Sequence, residues 1–169
     1  LFHLLLSWSL VVTMGYASAF SQTINGVSSS ATPYLTSVAP GVQMWAILTV
    51  GDAIGGYRMA GIPDGLGAYD NGDGTFTLLM NHELPATKGV PRAHSADGAG
   101  AFVSKLVING FTGDSSRVLK VNSGEDLIKN VVTWNPATNT YDAPAKGVVF
   151  SRFCSGDLPA RSAFYNHAT

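Results

Sequence analysis

Apolar positions recur in short runs separated by Gly, Asn, Asp and Pro, and no run keeps a 3.6-residue period beyond a turn or two. Met44–Val50 is one candidate buried strand, closed by Gly51-Asp52, and a loop with Gly55, Gly56 and Gly61 follows. Leu66–Tyr69 and Thr75–Met80 flank Asp70-Asn71-Gly72-Asp73-Gly74, whose residues tolerate positive φ and bond their own backbone, so this stretch predicts a β-hairpin. Ala101–Ile108 predicts another strand after Gly98-Ala99-Gly100. Ser123–Lys129 reads as one helical turn capped by Ser123. Val131–Trp134, a Pro136 turn and a return at Tyr141 give a further strand pair, and Val148–Phe150 a last short strand. Ser21–Pro33 reads as a loose N-terminus or edge segment. The expected fold is all-β and antiparallel, with short helical turns.

Composition sharpens this picture. Of 169 residues, 46% are hydrophobic and 12% charged, against about a quarter charged in an ordinary domain. Amphipathic helices need a charged outer face, so the balance favours strands and tight turns. Residues 1–19 combine an apolar run, Leu4–Val12, with the small-x-small Ala17-Ser18-Ala19, which predicts a secretory signal peptide and no membrane span after its cleavage. An uncleaved anchor is the alternative for that run. The remainder, 20–169, shows no linker and predicts one domain. A single cysteine, Cys154, rules out an internal disulfide framework, and the net charge of −1 with no basic cluster argues against nucleic-acid binding.

Three constellations could carry chemistry. Pairing Tyr69 with Thr75 would set Asp64 across from Met80, gathering Asp64, Asn81 and Glu83 at the hairpin's open end as oxygen donors for a hard cation. The same residues could instead cap turns and face solvent. At the hairpin tip the Asp/Asn/Gly run does not align as an EF-hand, because that would put Tyr69 and Met80 at ligand positions, so a plain turn is expected there. Arg92 and His94 form a second pair, Arg92 suited to an oxyanion and His94 to a ligand or proton-donor role, although an exposed loop pair is the more ordinary reading of such a spacing. Cys154 with Asp157 is the third, its thiol by default a small buried hydrophobe, otherwise a thiolate ligand or half of a disulfide with a partner beyond residue 169. No nucleophile elbow, Walker loop, His-Glu-x-x-His or Cys-x-x-Cys motif occurs.

Gly61-Ile-Pro-Asp-Gly-Leu-Gly, Leu78-Leu-Met-Asn-His-Glu and Arg92-Ala-His94 leading to Gly100-Ala-Phe-Val-Ser together resemble the PhoX-like secreted bacterial alkaline phosphatases, over about residues 60–108 with a weaker echo at Arg152–Tyr165. The resemblance implies a β-propeller whose channel holds calcium, with iron in the true phosphatases, to bind and hydrolyse phosphate esters. It carries Glu83 over as a metal ligand, with Asp64 and Asn81 as neighbours, and transfers no role to Cys154. Since a propeller blade takes about 40–50 residues and closure at least four blades, the expectation is an incomplete propeller, an N-terminal fragment. The other function class in view is a non-catalytic exported or cell-surface propeller that binds a ligand, with calcium at most structural.

Overall fold

The structure, a computed structural model, describes residues 22–96, 98–110 and 119–155. The expected signal peptide and Asp157 lie outside these residues. Its centre is a four-stranded antiparallel meander of β5 (Pro63–Asp70), β6 (Thr75–His82), β7 (Phe102–Asn109) and β8 (Val121–Asp126), ordered β5-β6-β7-β8. Three smaller pairs surround it. β1 (Gln22–Asn25) runs beside β2 (Gln43–Ala46), β3 (Ala53–Ile54) pairs β4 (Tyr57–Arg58), and β9 (Trp134–Asn135) pairs β10 (Thr140–Tyr141).

The hairpin tip forms for the chemical reason visible in its residues. Asp70 Oδ1 accepts from Gly72 N at 2.9 Å, Asp73 Oδ1 accepts from Thr75 N at 3.0 Å, and Gly72 and Gly74 take φ of 76° and 84°. Both tip carboxylates are thus spent on their own turn.

Its register differs from the expected one by two residues: Tyr69 faces Thr77 rather than Thr75, and Leu66 rather than Asp64 faces Met80. A shift of two leaves every side chain on its expected face, because the side-chain period is two. Between Leu66 and Pro63 the register slips again, by one, so Pro63 meets His82 and Asp64 sits in a bulge.

β7 shows why the sheet is two-sided. Phe102, Ser104, Leu106 and Ile108 alternate as buried residues, and facing residues on β6 are His82, Met80, Leu78 and Phe76. This face packs Met80, Leu106, Ile108 and Val121 against Met59, with Ile47, Leu48, Ile54 and Tyr57 closing over them. A smaller cluster of Ala60, Leu84 and Phe102 continues it toward the strand ends. The opposite face carries Lys105, whose ammonium pairs with Glu125 at 3.1 Å.

Several expectations change. Ser123–Lys129 is not a helical turn: Val121–Asp126 is extended and pairs with β7, and no residue described is helical. Gly124 favours this, since extended pairing with Leu106 lets Tyr57 pack directly where a side chain would stand, and one short capped turn is marginal by itself. The pairing is not wholly antiparallel, because β1 and β2 run parallel. β2 is shorter than the apolar run suggests, since Ile47 and Leu48 leave it to cover the core. The glycine-rich stretch after Asp52 is a tight hairpin, with Gly55 and Gly56 at φ of 55° and 87° turning β3 into β4. Phe150 contributes a single bridge to Ala101 in place of a strand.

Candidate functional site

Two polar assemblies lie at the end of the sheet where β6 finishes, on its opposite faces. The buried one begins with His82, which is fully buried on the core face. Its Nδ1 lies 2.9 Å from Gly61 O, and because a carbonyl only accepts, Nδ1 carries the proton. Burial depresses the His82 pKa below that of an ordinary imidazole; the Gly61 and Ala60 backbone contacts oppose this and the Arg92 charge adds to it. The neutral ring therefore accepts at Nε2 from Ser104 Oγ, 2.7 Å away.

Ser104 Oγ lies 2.8 Å from Tyr57 OH, which donates to Asp126 Oδ1 at 3.0 Å. Burial, more than any neighbour, pushes the Tyr57 pKa up, and Asp126 adds to the shift, so the phenol stays protonated. Asp126 also accepts from Ala93 N at 2.8 Å and from Arg92 Nη1 at 3.3 Å. Arg92 Nη2 donates to Arg58 O at 3.1 Å, and the guanidinium carbon lies over Phe102, 3.7 Å from the ring centroid. Phe102 in turn stacks on His82 at 3.9 Å with an interplanar angle of 9°. The assembly joins a buried cation, its carboxylate, two hydroxyls and an imidazole, drawn from β4, β6, β7, β8 and the loop after Pro91, and leaves Arg92 Nε buried without a hydrogen-bond partner.

The second assembly is at the surface. Asn81 and Glu83 flank His82 and so point away from the core. Segment 150–155 runs across the strand ends here. Ala101 N donates to Phe150 O at 3.0 Å, Arg152 N to Leu84 O at 3.0 Å, and Gly65 N to Cys154 O at 3.1 Å. Asn81 Nδ2 donates to Ser155 O at 2.5 Å, and Arg152 Nη2 donates to Glu83 Oε1 at 3.2 Å. Arg152 holds φ of 62°, in the left-handed region.

Each expected site residue can now be located. Asn81 and Glu83 stand on one strand end as anticipated, while Asp64 is exposed in the β5 bulge and takes no part in the pairing once expected of it. Arg92 is 7% exposed and His94 fully buried, so this loop pair faces inward. His94 Nδ1 donates to Val148 O at 2.8 Å and its ring leans on Phe150, while Nε2 is buried without a hydrogen-bond partner. Cys154 is a free, exposed thiol rather than a buried one. Tyr57, Ser104, Asp126 and Arg152 are residues that the sequence reading did not assign. Ser104 had a visible signal, a hydroxyl on the buried parity of an otherwise apolar strand. Asp126 had none, since a helical reading of Ser123–Lys129 turns it to solvent.

No family model matches the chain, and no curated protein or solved structure matches it either. Among the described residues no group of three or more His, Cys, Asp and Glu side chains is gathered to hold a metal ion.

Proposed function

We propose that the chain belongs to a secreted, calcium-dependent phosphoesterase-like protein of β-propeller type, with its chemistry at the strand end occupied by Glu83. The observation that carries this reading is the contact of segment 150–155 with the end of β6, where Asn81 bonds Ser155 O and the Glu83 carboxylate pairs with the exposed Arg152 guanidinium. The likeness of Gly61–Gly67, Leu78–Glu83 and Arg92–Ser104 to the PhoX-like phosphatases supports it. So does the four-stranded meander, which is the unit that a propeller repeats.

Asp64 and Glu83 could offer carboxylate oxygens to a hard cation, and Asn81 the Oδ1 of the amide whose Nδ2 bonds Ser155 O. Calcium takes about six to eight oxygens, so these side chains are part of a shell that water and substrate oxygens would complete. A calcium ion held there would bind phosphate oxygens and lower the pKa of an attacking water. The chain's own contribution is to present Glu83 rigidly, through Glu83 N donating to Ile62 O at 2.9 Å, and to supply a guanidinium fork matched to two phosphate oxygens. That fork is Arg152 in this reading. Arg92 is committed to Asp126 and Arg58, and its place is in the support beneath the site.

The test is hydrolysis of a phosphomonoester by the full chain. Activity should fall on chelation, recover with calcium, and be lost in Glu83→Gln; hydrolysis indifferent to both would exclude the reading. A second reading, a non-catalytic exported binding protein, draws on Glu83 being already paired with Arg152. It would gain if chelation lowered the melting temperature while no phosphoester was cleaved.

A further inference from the structure

An Asn-Gly pair exposes the asparagine side-chain amide to attack by the glycine nitrogen, because glycine puts no Cβ in the way. The pair occurs three times here, at Asn25-Gly26, Asn71-Gly72 and Asn109-Gly110. Backbone pairing holds two of the three nitrogens. Gly26 N donates to Ala46 O at 2.9 Å and Gly110 N to Gly74 O at 2.7 Å, so attack at either requires that pairing to open first. Gly72 N instead donates to the Asp70 carboxylate at 2.9 Å, on the exposed hairpin tip.

The Asn71 amide is engaged at both of its ends. Its Oδ1 accepts from Thr77 Oγ1 at 3.0 Å, and its Nδ2 donates to Thr75 Oγ1 at 2.8 Å. Thr75 Oγ1 gives its own proton to Asp73 Oδ1 at 2.6 Å. A donor aimed at Oδ1 stabilises the negative charge that develops there when a nucleophile adds to Cγ. A carboxylate on the Gly72 N–H draws the proton away as the nitrogen bonds.

We infer that Asn71-Gly72 is a self-modification site, where the hairpin tip converts Asn71 to aspartate and isoaspartate with assistance from Asp70 and Thr77. Gly72 N bonds to Asn71 Cγ and gives up its proton. The Cγ–Nδ2 bond breaks, and ammonia leaves with that proton beside the two of the amide. Water then opens the cyclic imide, adding hydroxyl to a carbonyl carbon and hydrogen to the nitrogen. Opening at Cγ leaves an ordinary aspartate, and opening at the main-chain carbon leaves isoaspartate, with one more methylene in the backbone. Either product turns an oxygen toward Thr75 Oγ1, whose proton Asp73 already holds, and adds a third carboxylate beside Asp70 and Asp73. The tip therefore loosens as the reaction proceeds. The inference rests on the turn alone and is independent of the calcium-dependent reading.

Incubating the full chain in warm, mildly alkaline buffer and mapping its peptides by mass spectrometry reads each site through its amide-to-acid mass change. In the folded chain Asn71 should convert about ten-fold faster than Asn25 and Asn109, whose glycine nitrogens must first lose a backbone bond. In urea the three rates should converge. Thr77→Val should slow Asn71 about two- to ten-fold, the worth of one hydrogen bond, and Asp70→Ala should slow it as well. Rates of each variant in urea control for the change of sequence. Thr75→Val removes the acceptor of Nδ2 without touching Oδ1 or Gly72 N, so it should not slow conversion and separates assistance from a loosened tip. Equal folded rates at the three sites would overturn the inference. So would faster conversion of Asn71 in Thr77→Val, which would mean that the threonine locks the amide instead of activating it.

Discussion

Asp126→Ala should be among the most damaging single changes in this chain, although Asp126 lies in the buried assembly and not at the surface strand end proposed to meet substrate. The carboxylate accepts from Ala93 N at 2.8 Å, from Tyr57 OH at 3.0 Å and from Arg92 Nη1 at 3.3 Å. Side-chain exposure is 5% for Arg92 and 10% for Asp126, so removing the anion strands a guanidinium against Phe102 with little water to take its place. Breaking a buried pair by deleting one partner costs about 3–5 kcal/mol, most of it the uncompensated charge. That is comparable with the whole stability of about 5–15 kcal/mol of a typical domain. Replacing both partners by apolar residues, in Arg92→Met with Asp126→Leu, removes the stranded charge and should cost about 1–2 kcal/mol, chiefly the lost Tyr57 and Ala93 bonds. Urea unfolding followed by tryptophan fluorescence, completed as a double-mutant cycle, gives the coupling directly. A loss under about 1 kcal/mol in Asp126→Ala, or additivity within about 0.5 kcal/mol, would refute the argument that this pair is buried and mutually dependent.

Two other outcomes follow from the same geometry. His82 is held neutral by burial, so its folded pKa lies below the unfolded value of about 6.5. The unfolded chain then binds the extra proton first, and stability should fall as pH drops below about 6.5 until the folded pKa is reached. Comparing urea midpoints at several pH values in the wild type and His82→Gln isolates this slope; identical slopes would refute it. Gly100→Ala should cost about 1–3 kcal/mol, since Gly100 has φ of 104° and an added Cβ would press on the Phe150 carbonyl oxygen that bridges to Ala101. Gly72→Ala is the control, with φ of 76° but nothing within 4 Å of the added carbon, and its melting temperature should drop less. An equal drop in the two would show that the close approach at Gly100 is not what matters.

Much of the fold was legible because it depends on period and turn chemistry. Leu66–Tyr69 and Thr75–Met80 read as strands joined by a turn at Asp70–Gly74, since Asp, Asn and Gly satisfy a tight turn with local bonds, and Ala101–Ile108 read as a further strand. The hairpin's register was less legible: loop length sets it, and a change of two residues leaves the hydrophobic pattern unaltered. The bulge at Asp64 carries no pattern at all. Ser123–Lys129 was misread because a Ser cap followed by Glu and Asp satisfies local helix rules, and only pairing with β7 reveals the strand.

The site divides along the same line. Asn81 and Glu83 were legible as oxygen donors at the hairpin's open end, and strand alternation sets His82 between them on the other face. What each face meets required the tertiary structure. Arg92 and Asp126 are far apart in the chain, as are Glu83 and Arg152, and nothing local distinguishes a carboxylate that will meet a buried guanidinium from one that will meet water. The sequence by itself determined an all-β chain, its central hairpin and the strand end where polar groups collect. Only the tertiary structure decided that Arg92 lies beneath that end and Arg152 upon it, because charge partners are chosen by proximity after folding, and proximity between distant segments has no periodic signature.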